Sequence, residues 1–189
     1  MQNNRAGWAQ IDITPPLGLP MGGRGSRFTP GAAVLDPLLA QALVLEDETG
    51  RRMLWVSMDM IGMSYHATAE FRYELMAATG IPFDAIVINA SHTHSGPMTG
   101  FEGYATLQPK PEQMQVYETG LIAKTVRMAH EAIARLAPAK VSVHRGLSDI
   151  GINRRRRDPA GQMGMGPDPA GFYNRDLWLL DVVAGDARS

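Results

Sequence analysis

Two histidines separated by one residue are the feature of this chain most able to do chemistry. His92 and His94 follow the apolar run Ala85 to Ala90 and precede a Ser-Gly-Pro turn. In an extended backbone, residues i and i+2 project to the same side, so the spacing predicts that both imidazoles face one point. Imidazole is the commonest protein ligand of zinc, and the pair therefore predicts half of a metal site. Spacing alone leaves open the alternative that these are two hydrogen-bonded polar side chains.

The elements that position this pair are indicated by a change in the period of the apolar residues. Met53 to Met60 is a nearly continuous apolar run, typical of a strand buried on both faces. A helical period follows over Ala67 to Ala78, with Gly80 suited to end the helix, and Ala85 to Ala90 is the next apolar run. Strand, helix and strand in this order predict a parallel βαβ unit. We therefore predict an α/β fold whose mixed sheet contains this unit and is flanked by helices.

The rest of the chain divides into further predicted strands, one long helix and two loops. The helix is predicted over Glu112 to Leu136, where Pro138 follows its end. Segments rich in Gly and Pro predict loops over residues 15–31 and 151–171. Further strands are predicted at Ala9 to Thr14, Leu38 to Leu45, around Val141 and Val143, and at Leu177 to Val183.

Asp59 is predicted to share a rim of the sheet with the two histidines. It lies near the carboxyl end of the first strand of the βαβ unit, and His92 and His94 lie just past the end of the second. In open α/β sheets, ligands bind beyond the carboxyl ends of the strands. Three roles are open for Asp59: to cap backbone amides, which is the favoured one, to orient a metal-bound histidine, or to bind the metal itself.

Composition excludes several classes of protein. The chain has 189 residues, a net charge of -1 and no cysteine. The absence of cysteine excludes a disulfide scaffold, a cysteine-ligated zinc site and a thiol nucleophile. The beginning of the chain lacks the apolar stretch of a secretory signal, and no run is long and apolar enough for a transmembrane helix. We expect a cytoplasmic protein, or a secreted or periplasmic one if the chain is a fragment or a mature form.

Two basic or glycine-rich segments invite other readings. Gly22 and Gly25 belong to a glycine cluster, but Phe28 stands where a dinucleotide-binding loop needs glycine, so we expect a loop near an active site or a surface loop. The four arginines from Arg154 to Arg157 lack interleaved aromatic residues in a chain of balanced charge, so nucleic-acid binding is not expected. One of these arginines could still bind a carboxylate or a developing oxyanion.

Several motifs, taken in order, resemble one known family. They are Ile11-Asp12-Ile13-Thr14-Pro15, Met21-Gly22, Asp36-Pro37-Leu38, Ser57-Met58-Asp59, His92-Thr93-His94-Ser95-Gly96-Pro97 and Ile152-Asn153-Arg154. This order resembles the N-terminal catalytic domain of the neutral/alkaline non-lysosomal ceramidases, over nearly the whole chain. The block that begins at His92 is the most specific of these motifs.

The resemblance implies a zinc-dependent hydrolase that cleaves N-acylsphingosine-type lipids to a fatty acid and an amino alcohol. It implies that His92 is a zinc ligand and that His94 assists binding or proton transfer. It also implies that Asn153 and Arg154 contact the substrate, with Arg154 stabilising negative charge in the reaction. Here Asn153-Arg154 is followed by three more arginines instead of the family's small residues, which puts the local substrate contacts in question.

In the family, a second zinc histidine, a glutamate and a tyrosine follow further along the chain. We therefore interpret residues 1–189 as the front part of an incomplete catalytic domain, with no second domain. An acyl-amide or lipid is the expected partner, with transient contact to a membrane surface. Two rival interpretations are a His-x-His metal-dependent phosphoesterase or amidohydrolase, and a truncated domain that does not catalyse. No Gly-x-Ser-x-Gly elbow is present, which disfavours a serine hydrolase.

Overall fold

The computed structural model describes residues 4–23, 29–99 and 111–184. The chain forms two compact units. The first comprises Met1–Ala139 together with Ala184–Ser189, and the second comprises Lys140–Val183. Arg24 and Gly25 of the glycine cluster lie outside the described residues. In the parts of the chain that are described, neither helix is long and apolar enough to cross a lipid bilayer.

The first unit is built on a mixed sheet in the order β4-β3-β2-β1. Its elements are β1 (Arg5–Asp12), β2 (Leu39–Glu46), β3 (Arg52–Met58), α1 (Tyr65–Thr79), a 3-10 turn (Phe83–Ala85), β4 (Ile86–Ala90) and α2 (Glu112–Ala134). Strand β2 is antiparallel to both β1 and β3, whereas β3 and β4 are parallel. Strand β5 (Ala137–Leu147) starts beside β1, where Ala137 and Pro138 pair antiparallel with it.

The predicted parallel βαβ unit is confirmed, and its helix has clear ends. Leu54 pairs with Ile86 at the start of the β3–β4 ladder, and Met58 pairs with Ala90 at its end. The hydroxyl of Ser64 accepts a hydrogen bond from the backbone N–H of Ala67, which satisfies one of the free amides at the start of α1. Gly80 ends the helix in the left-handed conformation, with φ of 71°.

One face of this sheet is covered by both helices. The core combines small and β-branched residues of the strands with larger side chains of the helices, among them Phe71 and Met128, which are fully buried. The hydroxyl of Tyr117 on α2 donates to the carbonyl of Ile13 at 2.6 Å, and thereby ties the helix to the end of β1.

The other face of the sheet carries an apolar row that crosses all four strands. Trp8 is opposite Leu43, Leu43 is opposite Trp55, and Trp55 is opposite Val87. Trp8 and Trp55 remain 48% and 39% exposed. This row is therefore apolar without being buried by the two helices.

The second unit contains a hairpin that the sequence did not predict. The unit comprises the rest of β5, then β6 (Asn153–Arg157), β7 (Met163–Asp168) and β8 (Asp176–Ala184). Strand β8 lies beside β5, and β6 and β7 form the antiparallel hairpin. The prediction of a loop over residues 151–171 is wrong. Arginines pair with methionines and glycines across this hairpin, so its strands lack the alternation of apolar and polar residues by which a strand is recognised.

Candidate functional site

The histidine block begins where β3 and β4 end side by side. The backbone N–H of Ser91 donates to the carbonyl of Met58 at 3.0 Å, which continues the pairing of the two strands to the rim of the sheet. Asp59 follows β3 at this rim, and His92 follows β4. Asp59 and the two histidines, far apart in the sequence, therefore follow the carboxyl ends of two neighbouring parallel strands.

Asp59 bonds to a neighbouring strand. Its carboxylate accepts a hydrogen bond from the backbone N–H of Leu39 at 3.0 Å, and its own N–H donates to the carbonyl of Leu39 at 2.9 Å. These bonds join the end of β3 to the start of β2, which is the backbone-capping role favoured by the sequence.

His92 is held by its backbone and by one ring nitrogen. Among the non-glycine residues that the structure describes, it is the one with a positive φ, of 61°. Its Nδ1 lies 2.5 Å from the carbonyl oxygen of Ile61. Because a carbonyl oxygen only accepts, Nδ1 carries a hydrogen, and in the neutral ring Nε2 then has the lone pair. A backbone carbonyl thus provides the orienting contact that was considered for the carboxylate of Asp59.

The left-handed residue changes the reason for which the two imidazoles converge. The sequence argument assumed an extended backbone, but β4 ends at Ala90 and the chain turns at His94 and Ser95. The convergence comes from φ at His92, together with that turn. Left-handed backbone at a non-glycine residue costs about 1–2 kcal/mol and is concentrated at functional sites.

The two Nε2 atoms lie at a distance that suits either a hydrogen bond between the rings or a pair of metal ligands. Nε2 of His94 lies 3.3 Å from Nε2 of His92, and the two rings are nearly perpendicular, at 78°. Two nitrogens that each lie about 2.0–2.1 Å from a tetrahedral zinc ion are about 3.3–3.4 Å apart. The pair therefore fits two of the positions around a zinc ion.

The described residues offer two ligands and not a complete set. Within residues 4–23, 29–99 and 111–184, no group of three or more His, Asp or Glu side chains is placed to hold a metal ion. A catalytic zinc site ordinarily has three protein ligands and an open position.

A pocket of about 570 Å³ opens beside His94. Thr93, His94 and Ser95 form one part of its lining. The rest of the lining combines apolar side chains such as Leu17 and Leu35, which are exposed, with polar ones such as Asp36. A pocket with apolar walls and a few polar groups is typical of a small-molecule site.

Asn153 and Arg154 lie on β6 of the second unit. The side-chain amide of Asn153 donates to the carbonyl of Phe172 at 2.7 Å, and its oxygen accepts from the N–H of Arg155 at 2.8 Å. Both polar atoms of Asn153 are thus engaged within the second unit, and Arg154 is exposed. The substrate contacts expected of these two residues stay predictions.

Sequence reasoning missed two contributions to the site. The carbonyl of Ile61 is a backbone atom, which no residue type signals. Gly23 lies against the backbone of His94, where an added Cβ would be 2.5 Å from Cα of His94. The glycine cluster predicted a loop near an active site or a surface loop, and the structure places Gly23 of that loop against His94.

Two solved ceramidase structures share the fold. The structure of neutral ceramidase from Pseudomonas aeruginosa superposes on 100% of this chain with a TM-score of 0.73 and 23% identity. A ceramidase complexed with C2 superposes on 98% of it with a TM-score of 0.69 and 22% identity. The chain is thus an α/β protein with the fold of a segment of a ceramidase.

Sequence similarity leads to the same family. The neutral ceramidases of Drosophila melanogaster and Drosophila pseudoobscura pseudoobscura are each 32% identical to this chain over 96 residues, which is 49% of the chain. The predicted resemblance to the neutral ceramidases is confirmed. The chain spans 14% of the length of these two relatives and 30% of each solved structure. No protein-family model matches the chain.

Proposed function

We propose that this chain corresponds to a segment of a ceramidase-like, zinc-dependent amide hydrolase that acts on N-acylsphingosine-type lipids. The observation that carries the proposal is the approach of the two Nε2 atoms to 3.3 Å, in a fold that matches a segment of a neutral ceramidase. When bound, a zinc ion lowers the pKa of water to about 7 and polarises a carbonyl group.

In this proposal, the residues of the chain hold the metal ion and orient its ligands. The carbonyl of Ile61 fixes the tautomer of His92, so that its Nε2 is available as a ligand. The position of His94 supports the role of assisting metal binding, since its Nε2 faces the same point. The pocket beside His94 includes apolar side chains, among them Leu17 and Leu35, against which an acyl chain would pack.

Zinc binding is the first test, and the chain offers a matched control. His92 and His94 are each replaced by Ala, and His130, an exposed histidine on α2, is replaced in the control. We expect one weakly bound zinc ion per chain, an affinity lowered about tenfold or more by His92→Ala and by His94→Ala, and no change from His130→Ala. Isothermal titration calorimetry measures all three. A His92→Ala protein that binds zinc as well as the unsubstituted chain would contradict the metal assignment.

Amide hydrolysis is the second test. The isolated chain should show little or no turnover of a fluorescent N-acylsphingosine, because its described residues provide two metal ligands. A chimera in which this chain replaces the matching segment of the Pseudomonas aeruginosa enzyme should bind zinc tightly and hydrolyse the lipid, and His92→Ala should abolish both properties. A folded, zinc-loaded chimera without turnover would contradict the proposed substrate. Robust zinc-dependent turnover by the isolated chain would favour the rival His-x-His hydrolase.

A further inference from the structure

The chain segment before Arg24 is fastened to the turn that carries His94. The backbone N–H of Gly22 donates to the carbonyl of Gly96 at 2.8 Å, and the N–H of Met98 donates to the carbonyl of Pro20 at 2.8 Å. Met21 and Pro97 form an antiparallel bridge between these bonds. The segment is thus bonded to the backbone just beyond His94, at several consecutive positions.

Gly23 fills the remaining space against His94 itself. A Cβ at position 23 would lie 2.5 Å from Cα, 2.7 Å from Cβ and 2.9 Å from the carbonyl carbon of His94. No side chain can be accommodated there unless His94 moves, because these atoms belong to its backbone and to the first atom of its side chain. At Gly22, by contrast, an added Cβ would meet Sδ of Met98, at 2.9 Å, which is the far end of a flexible side chain.

We propose that Gly23 is a positioning residue for the metal site: its bare backbone, packed against His94, sets where Nε2 of His94 points. The inference rests on the proposed function and adds a residue that acts through His94. Displacement of the His94 backbone would move an imidazole whose Nε2 lies 3.3 Å from that of His92. Groups that orient metal ligands typically contribute about 10–100-fold to metal affinity.

A second glycine of the same loop separates this contact from backbone strain. Gly23 has φ of +98° and Gly18 has φ of +89°, so Ala is strained at either position, but an added Cβ at Gly18 meets nothing within 4 Å. Calorimetry with zinc and the visible spectrum of bound cobalt(II) are measured for Gly23→Ala and Gly18→Ala. We expect Gly23→Ala to weaken zinc about tenfold and to change the cobalt spectrum, and Gly18→Ala to leave both unchanged. Equal zinc affinities and spectra for the two variants would overturn the inference.

Hydrogen exchange tests the same coupling in the unsubstituted chain, and decides the matter if Gly23→Ala does not fold. If the packing of Gly23 positions His94 for zinc, then bound zinc must in turn stabilise the packing of this segment against His94, because coupling between two sites is reciprocal. Exchange of the Gly22 N–H should slow when zinc is added, whereas the Gly50 N–H, which donates to the carbonyl of Asp47 in a turn, should be unaffected. An unchanged Gly22 amide in a zinc-saturated chain would overturn the inference. Failure of the unsubstituted chain to bind zinc would overturn the proposed function, and this inference with it.

Discussion

The two rims of the sheet in the first unit each carry a polar cluster, and the two clusters differ in what their atoms face. At the start of β3, both carboxylate oxygens of Glu46 are bonded: Oε1 to Arg5 at 2.7 Å and Oε2 to Arg52 at 2.7 Å. Past the carboxyl ends of β3 and β4, the Nε2 atoms of His92 and His94 face each other at 3.3 Å. In the first cluster each carboxylate oxygen is paired with an arginine, whereas in the second the two Nε2 atoms approach each other and their donor and acceptor roles depend on the tautomers of the rings.

This difference separates a structural cluster from a candidate binding site. Hydrogen bonds from Arg52 and from Arg5 hold the pKa of Glu46 below its ordinary value. Both carboxylate oxygens of Glu46 are thus paired with side chains of the same unit. At the other rim, the left-handed backbone of His92 and the close packing of Gly23 against His94 hold the two imidazoles together. Left-handed backbone at a non-glycine residue is concentrated at functional sites, which makes the histidine pair the candidate binding site of the two clusters.

The largest expected effect concerns the core that both rims share. Phe71 on α1 is fully buried, and Phe71→Ala should lower the free energy of unfolding by about 3–5 kcal/mol through lost burial and a cavity. The zinc affinity of the folded fraction should not change, because the change is remote from the histidines. Urea unfolding and calorimetry measure the two properties. Phe172→Ala, at an exposed position in the second unit, is the matched control and should cost less than about 0.5 kcal/mol. A loss of zinc affinity in folded Phe71→Ala protein would show that core and rim are not independent.

A smaller effect is expected at the closed cluster, and it should depend on pH. Glu46→Gln should cost about 1 kcal/mol at neutral pH, since the two arginines are partly exposed and screened by water. The pKa of Glu46 is lowered from 4.5 in the folded state, so its contribution is present above that value and is lost as the pH falls through the lowered pKa. The difference in stability between the chain and Glu46→Gln should therefore shrink in acid, while zinc affinity at neutral pH is the same in both. Urea unfolding from neutral pH down to about pH 3 measures it. A difference that grows in acid would have the wrong sign for this cluster.

The smallest effect concerns the strained residue of the open cluster. His92→Ala and His92→Gly both remove the proposed metal ligand, but glycine adopts φ of 61° without strain. His92→Gly should therefore be more stable than His92→Ala by about 1 kcal/mol, as measured by thermal unfolding without metal. At Ser91, which has no positive φ, the order should be reversed, because glycine there only adds freedom to the unfolded chain. Equal stabilities of the two His92 variants would show that the backbone at position 92 is not strained.

The sequence was informative wherever burial decides the structure. The apolar run of β3, the helical period of α1 and the run of β4 reflect side chains that must be buried, and the parallel βαβ unit was predicted from them. The position of the histidine pair followed from the same pattern. Its geometry did not, because φ of His92 and the carbonyl of Ile61 are backbone properties that no residue type announces. The β6–β7 hairpin was missed for a related reason, since its exposed arginines and glycines leave no apolar period.

The left-handed conformation of His92 also restricts which residues can replace it in evolution. Residues that tolerate left-handed backbone are chiefly glycine, asparagine, aspartate and histidine. Among these, histidine and aspartate are zinc ligands. Histidine codons reach aspartate and asparagine by a single base change. Mutation can thus exchange the imidazole for a carboxylate, which suits harder metal ions, or for an amide, without remaking the turn. Most other replacements would require the turn and the proposed metal ligand to change in the same step. Few substitutions are therefore open at this position.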